Sequence, residues 1–226
     1  MLKILTCKLI TGLILLSSTN ILFSQNKYSH LLIHSGIGVI FSNTASVNDY
    51  LQHSLPLTST DSVKTFSIGA EYFGSVEYEF TNKLSLKLDY SYFSREDTYN
   101  LSFANYNYNY RVHQPYVLLN YFGKLKGSKL NIGAGVGYHF GTLTETIFTF
   151  YEKKYSSNGF AIKAEMTLAL KIIKNFYFSM GVLLSNSFMN PLKDSNGNKL
   201  THSNGKEVNL SSFNAGVRLG VLVYLF

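Results

Sequence analysis

The side chains able to do chemistry are sparse in this chain of 226 residues, which holds six histidines, thirteen carboxylates and a lone cysteine, Cys7. Hydrolysis of an ester or a peptide bond needs a serine, a histidine and an acid within hydrogen-bond reach of one another. His34 and His139 belong to two separate runs of alternating residues, and His53 and His202 to long polar stretches. No serine stands two positions from a histidine on an apolar face of such a run. Gly133, Gly135 and Gly137 are spaced GxGxG inside one extended run, with no helix behind them to receive a phosphate. No metal-ligand spacing occurs either. Catalytic, cofactor-binding and metal residues are therefore expected to be absent, and the reading is of a non-enzyme, with a lipid-modifying or proteolytic activity as a minor alternative. The chemistry left to explain is charge on strand faces.

Those faces follow from period-two alternation, since successive side chains of a strand point to opposite sides. In "LNIGAGVGYHFG", Leu130, Ile132, Ala134, Val136, Tyr138 and Phe140 share one face, and Asn131, Gly133, Gly135, Gly137, His139 and Gly141 the other. Neither is the wet face of a soluble sheet. Eight such segments recur, near 30–41, 67–80, 84–93, 107–122, 130–142, 159–172, 176–188 and 208–226. No helix of useful length competes with them. The connections alternate strictly: long at 42–66, 94–106, 143–158 and 189–207, short at 81–83, 123–129 and 173–175. A soluble barrel has no reason to lengthen every second loop. Tight turns at one end and extended loops at the other are the plan of an outer-membrane barrel.

The fold expected is all-β, an eight-stranded antiparallel up-and-down transmembrane β-barrel in the outer membrane of a Gram-negative bacterium. The apolar faces would meet lipid, and the glycine face would point into a narrow lumen filled by side chains from other strands. Residues 1–24, with Lys3 and Lys8 around a short apolar run, have the plan of a secretory signal peptide, which leaves 25–226 as the barrel domain. Around Pro115 in "YNYNYRVHQPYVLLNYF" the parity is ambiguous, and a β-bulge is expected there.

Sorting charge by face gives Glu71, Glu77, Glu79, Asp89 and Glu165 against Lys87, Arg111, Lys163, Lys171 and Arg218 in the lumen, five of each sign. That balance suggests a plugged core instead of a conducting pore. A three-residue turn at 81–83 sets Glu77 directly opposite Lys87, with their side chains within reach. Lys83, Lys124, Lys126, Lys129 and Lys174 occupy the short periplasmic turns without an acid among them. The whole basic surplus, +7 for the chain and +5 once Lys3 and Lys8 leave with the signal, therefore collects at that rim. Nucleic acid is a poor partner for such a distribution. Outer-membrane lipid, or an acidic periplasmic or secretion-system protein, suits it better.

"QPYVLLNYF" (114–122), the lysine-rich turn after it, "LNIGAGVGYHFG" and the terminal "LGVLVYLF" resemble the small outer-membrane β-barrel proteins of Bacteroidota, including the PorT-like branch linked to protein secretion across the outer membrane. The resemblance implies an outer-membrane barrel and no single biochemical activity. Tyr224 and Phe226 resemble the aromatic signal read by the barrel-assembly machinery, which is thereby implied as a partner during biogenesis. The function expected is structural or binding, through the extracellular loops; an accessory role in secretion is the alternative.

Overall fold

The computed structural model describes residues 30–54, 67–101, 104–148, 151–202 and 205–225. The expected signal peptide and Phe226 lie outside them. The strands are β1 (His30–Asn43), β2 (Ser67–Glu79), β3 (Leu84–Leu101), β4 (Ala104–Leu125), β5 (Ser128–Ile147), β6 (Tyr151–Ile173), β7 (Phe176–Met189) and β8 (Ser212–Tyr224), with one helix, α1 (Ala45–Ser54), after β1. Each strand pairs antiparallel with the next, and β8 closes on β1, so the ring has no free edge. Closure matters because an unpaired backbone group facing lipid costs several kcal/mol.

Alternation sorts the residues as period two requires. Ile37 and Val136 point outward and are 59% and 64% exposed, within an apolar belt that also holds Leu88, Leu119, Ile162 and Leu219. The glycine face of β5 points inward, where an added Cβ on Gly135 would run into the backbone carbonyl of Val117.

Two of the expected long loops are strand instead. β3 and β4 stay paired out to Leu101 and Ala104, and β5 and β6 out to Ile147 and Tyr151. The reason is an inversion of sidedness along the strands. Above the row Tyr92, His113, Phe140 and Asn158, the outward residues turn polar, as in Ser94, Arg111, Thr142 and Ser156. In the same stretch the inward residues turn apolar, as in Phe93, Tyr110, Val112, Leu143 and Tyr155. These strands leave the membrane and continue in water around a dry interior, so the alternation keeps its period and reverses its sense. By the rule that long connections face outward from the cell, this is the extracellular end.

The expected bulge at Pro115 does not form. β3 and β4 keep one register from Leu84↔Tyr121 to Leu101↔Ala104, and β4 and β5 lose their pairing only at Gln114 and Pro115. Proline removes a donor without inserting a residue, so Val112, Tyr116, Leu118, Asn120 and Phe122 all stay inward. α1 is a third departure, since no helix of useful length is expected from the sequence. Val47 and Leu51, four apart and therefore on one helix face, are both buried against the barrel mouth.

Candidate functional site

The lumen is built in three layers. In the middle one, Arg218 on β8 clamps Glu71 on β2 with two parallel bonds, Nη2 to Oε1 at 2.6 Å and Nε to Oε2 at 2.8 Å. Both residues are paired in register with Gly38 on β1, whose missing side chain lets them meet across the strand between them. A Cβ there would sit 2.8 Å from Glu71 Oε2. The same guanidinium donates to Asp89 at 3.2 Å and lies 4.4 Å over the Phe73 ring. Asp89 also accepts Lys163 Nζ at 2.5 Å, and Lys87 Nζ donates to Glu165 Oε1 at 2.6 Å. Three acids and three bases thus interlock, and the layer is neutral. Such burial stabilises only while every charge keeps its partners. His34 Nε2 bonds Ser179 Oγ at 2.7 Å, and Tyr116 OH bonds His139 Nε2 at 2.7 Å, so both inward histidines are fixed within the lumen.

The periplasmic layer holds Glu77 and Glu79. Lys129 Nζ reaches each of them at 2.8 Å, Lys124 Nζ reaches Glu79 at 2.6 Å, and Tyr224 OH donates to Glu79 at 3.0 Å. Ser85 Oγ donates to Glu77 at 2.6 Å. Both lysines lie over the Phe122 ring, at 4.5 Å for Lys129 and 5.1 Å for Lys124.

These contacts redistribute the residues expected from the sequence. Glu71, Glu77, Glu79, Lys87, Asp89, Lys163, Glu165 and Arg218 are inside. Arg111 is not; it stands exposed on the outer wall, because unbroken parity through Pro115 keeps its neighbours Tyr110 and Val112 inward. Lys171 has the inward parity but lies past the rim, where the β6–β7 register shifts between Lys171 and Ile173, and it is exposed. Their places are taken by two turn lysines, Lys129, 1% exposed, and Lys124, whose side chain is 45% exposed. Lys83, Lys126 and Lys174 are exposed at the rim. Glu77 and Lys87 are Cα partners as expected, yet each finds its counter-ion elsewhere.

The extracellular layer is a dry cap that hydrophobic patterning of the eight segments did not reveal. Val47 and Leu51 of α1 and Leu192, Val208 and Leu210 of the connection between β7 and β8 pack with Phe93, Tyr108, Tyr110, Val112 and Leu143. That connection is itself folded, with bridges Pro191↔Asn209, Lys193↔Lys199 and Thr201↔Glu207. Arg95 on β3, also buried, pairs with Asp97 at 2.8 Å and lies 5.3 Å from the Tyr110 ring. Burial pushes the Tyr50 hydroxyl on α1 up to about 12. Among the described residues no group of three His, Cys, Asp or Glu is placed to hold a metal.

No family model and no curated protein matches this chain. Solved structures do. A major outer membrane protein from Thermus thermophilus is similar with a TM-score of 0.53 at 12% identity, over 86% of this chain and 99% of that one. The outer membrane protein OprG from Pseudomonas aeruginosa gives 0.50 at 14%, over 88% and 97%. Ail, the attachment invasion locus protein of Yersinia pestis, solved in complex with the heparin analogue sucrose octasulfate, gives 0.50 at 11%, over 88% and 99%. At such identities the likeness carries the fold alone. Together with the apolar belt, it makes this chain an eight-stranded outer-membrane β-barrel protein.

Proposed function

We propose that this barrel does not conduct and acts by binding at its extracellular end. The observation that carries the reading is the filled lumen: a neutral ion network spans its middle, and an apolar cap closes its outer mouth. An eight-stranded barrel is just wide enough for side chains to fill, and among the described residues the ion network and the cap stand where a solute would have to pass. What such a barrel offers to the outside is its rigid, folded cap, with α1 and the 190–209 segment held against the strand ends. Fold alone does not choose a ligand, so the surface has to. Planar-bilayer recording tests the first half of the reading: wild-type protein should give no sustained conductance, and steady ohmic channels would overturn it. Crosslinking from intact cells tests the second half, with capture through residues of α1 or 190–202 expected.

A second reading, an accessory role in secretion like that of the PorT-like branch, draws on the exposed Lys83, Lys126, Lys171 and Lys174 at the periplasmic rim. Replacing these four by glutamine would abolish secretion of outer-membrane cargo under that reading, and would leave it unchanged under the first.

A further inference from the structure

On the outer wall, one register row crosses four neighbouring segments just above the apolar belt. Arg111 on β4 is the Cα partner of Thr142 on β5, Thr142 of Ser156 on β6, and Ser156 of Lys193, which bridges in turn to Lys199. Arg111, Ser156, Lys193 and Lys199 are exposed or half-buried, and Thr142 is half-buried. Lys193 does not swing on a free loop. Its N–H donates to Ser156 O at 3.0 Å, and its carbonyl accepts from Ser156 N–H at 2.8 Å. Between Thr142, Ser156, Lys193 and Lys199 lies a cleft of about 570 Å³, floored by Phe140. Arg111 stands at its edge, beside the lining residue Thr142, with its Nε donating to Asn109 Oδ1 at 3.0 Å and its other N–H groups free of ion pairs among the described residues. Phe140, 49% exposed, belongs to the row below, where the apolar belt begins.

We propose that this cleft binds the phosphorylated sugar headgroup of an outer-leaflet glycolipid. Depth in the membrane comes first. The switch from apolar to polar side chains falls at one row across β3, β4, β5 and β6, so the cleft sits where lipid headgroups begin. Charge comes second. Among the described residues neither Arg111 nor Lys193 forms an ion pair, and the nearby carboxylates are engaged: Asp194 by the amides of Asn196 and Asn198, Glu207 by Lys199. A guanidinium and an ammonium without counter-ions at a membrane surface suit a phosphate. The hydroxyls of Thr142 and Ser156 suit the sugar that carries it. Attachment to a lipid is what distinguishes this ligand from a soluble sugar phosphate, because Phe140 and the belt below it continue the cleft into hydrocarbon. The inference rests on the outer-membrane placement and is independent of what the cap binds.

The test uses the full barrel in phosphatidylcholine nanodiscs doped with bisphosphorylated lipid A, or with the same lipid after enzymatic removal of its phosphates. Retained lipid is quantified by native mass spectrometry. A charge near a membrane surface contributes about fivefold in affinity, so Arg111→Gln with Lys193→Gln should weaken retention about 30-fold. Each single change should weaken it about fivefold. Dephosphorylated lipid should be retained no better by wild type than the phosphorylated lipid is by the double variant. Equal retention of both lipids by wild type, or undiminished retention by the double variant, overturns the site. Full displacement by millimolar glucosamine phosphate overturns the lipid as its ligand.

Discussion

Glu77 and Lys87 stand opposite each other across the β2–β3 hairpin, and neither neutralises the other. Lys87 Nζ crosses the lumen to Glu165 on β6 at 2.6 Å, while Glu77 receives Lys129 from β5 at 2.8 Å. In a barrel this narrow, the far wall is as close to a long side chain as the neighbouring strand, so register alone does not assign ion partners. Asp89, two residues along from Lys87 and 3.6 Å from its Nζ, draws the lysine toward the middle layer.

A double-mutant cycle separates these arrangements. Lys87→Met and Glu165→Gln should each destabilise the barrel by about 3–5 kcal/mol, because each strands a buried charge, and the double change should cost less than their sum. The Glu77→Gln and Lys87→Met cycle should show a clearly smaller coupling than the Lys87–Glu165 cycle, since Glu77 and Lys87 are cross-strand neighbours that share no ion partner. Urea unfolding in detergent micelles reads both cycles. Strong coupling in the Glu77 cycle would return Lys87 to its cross-strand neighbour.

Lys129 and Lys126 lie three residues apart at the β4–β5 turn and should behave as opposites. Lys129 is buried between two carboxylates, whereas Lys126 is exposed. Lys129→Ala leaves Glu77 short of its cation and should cost about 3–5 kcal/mol. Lys126→Ala should stay within about 0.5 kcal/mol of wild type by the same unfolding assay. Similar losses for both would place Lys129 outside the network.

The membrane-spanning part of this fold was legible in the sequence because lipid enforces period-two alternation with one sense: Leu84, Leu86 and Leu88 outward, Ser85, Lys87 and Asp89 inward. Where the strands enter water the sense reverses, so Tyr108, Tyr110 and Val112 resemble a lipid face while lining a dry interior, and Arg111 between them resembles a lumen residue while facing out. Lys129 was misplaced for a different reason. A turn lysine reads as solvated, but its four-carbon stem can carry the ammonium back over Phe122 to Glu77 and Glu79. α1 carries only two buried apolar residues, Val47 and Leu51, too few to stand out in a polar connection. Its helix depends on the cap it packs against.

That dependence is measurable. Leu51 is 1% exposed at the centre of the cap, and Leu51→Ala should remove about 2–5 kcal/mol of local packing. Amide exchange by mass spectrometry should then show α1 opening, with β2 and β8 protected as before, because neither strand contributes a residue to the apolar cluster that holds Leu51. Unchanged exchange in α1 would mean that the helix is held by something other than the cap.

The glycines of β5 give the last prediction, since they decide how closely two strands approach. An added Cβ on Gly135 would overlap the carbonyl oxygen of Val117 and lie 2.7 Å from the Leu118 Cα. Backbone atoms of a paired strand cannot rotate aside as a side-chain tip can, so the β4–β5 ladder would have to part. Its pairing is already interrupted at Gln114 and Pro115. Gly123, on β4 near the periplasmic turn, has no atom within 4 Å of the equivalent position. Gly135→Ala should therefore lower the yield of folded barrel, with a ΔΔG of about 1–3 kcal/mol as for other overpacked sites, while Gly123→Ala should be neutral. The heat-modifiable gel shift of the refolded protein reads the difference. Equal folding of the two variants would mean that Gly135 marks no close approach.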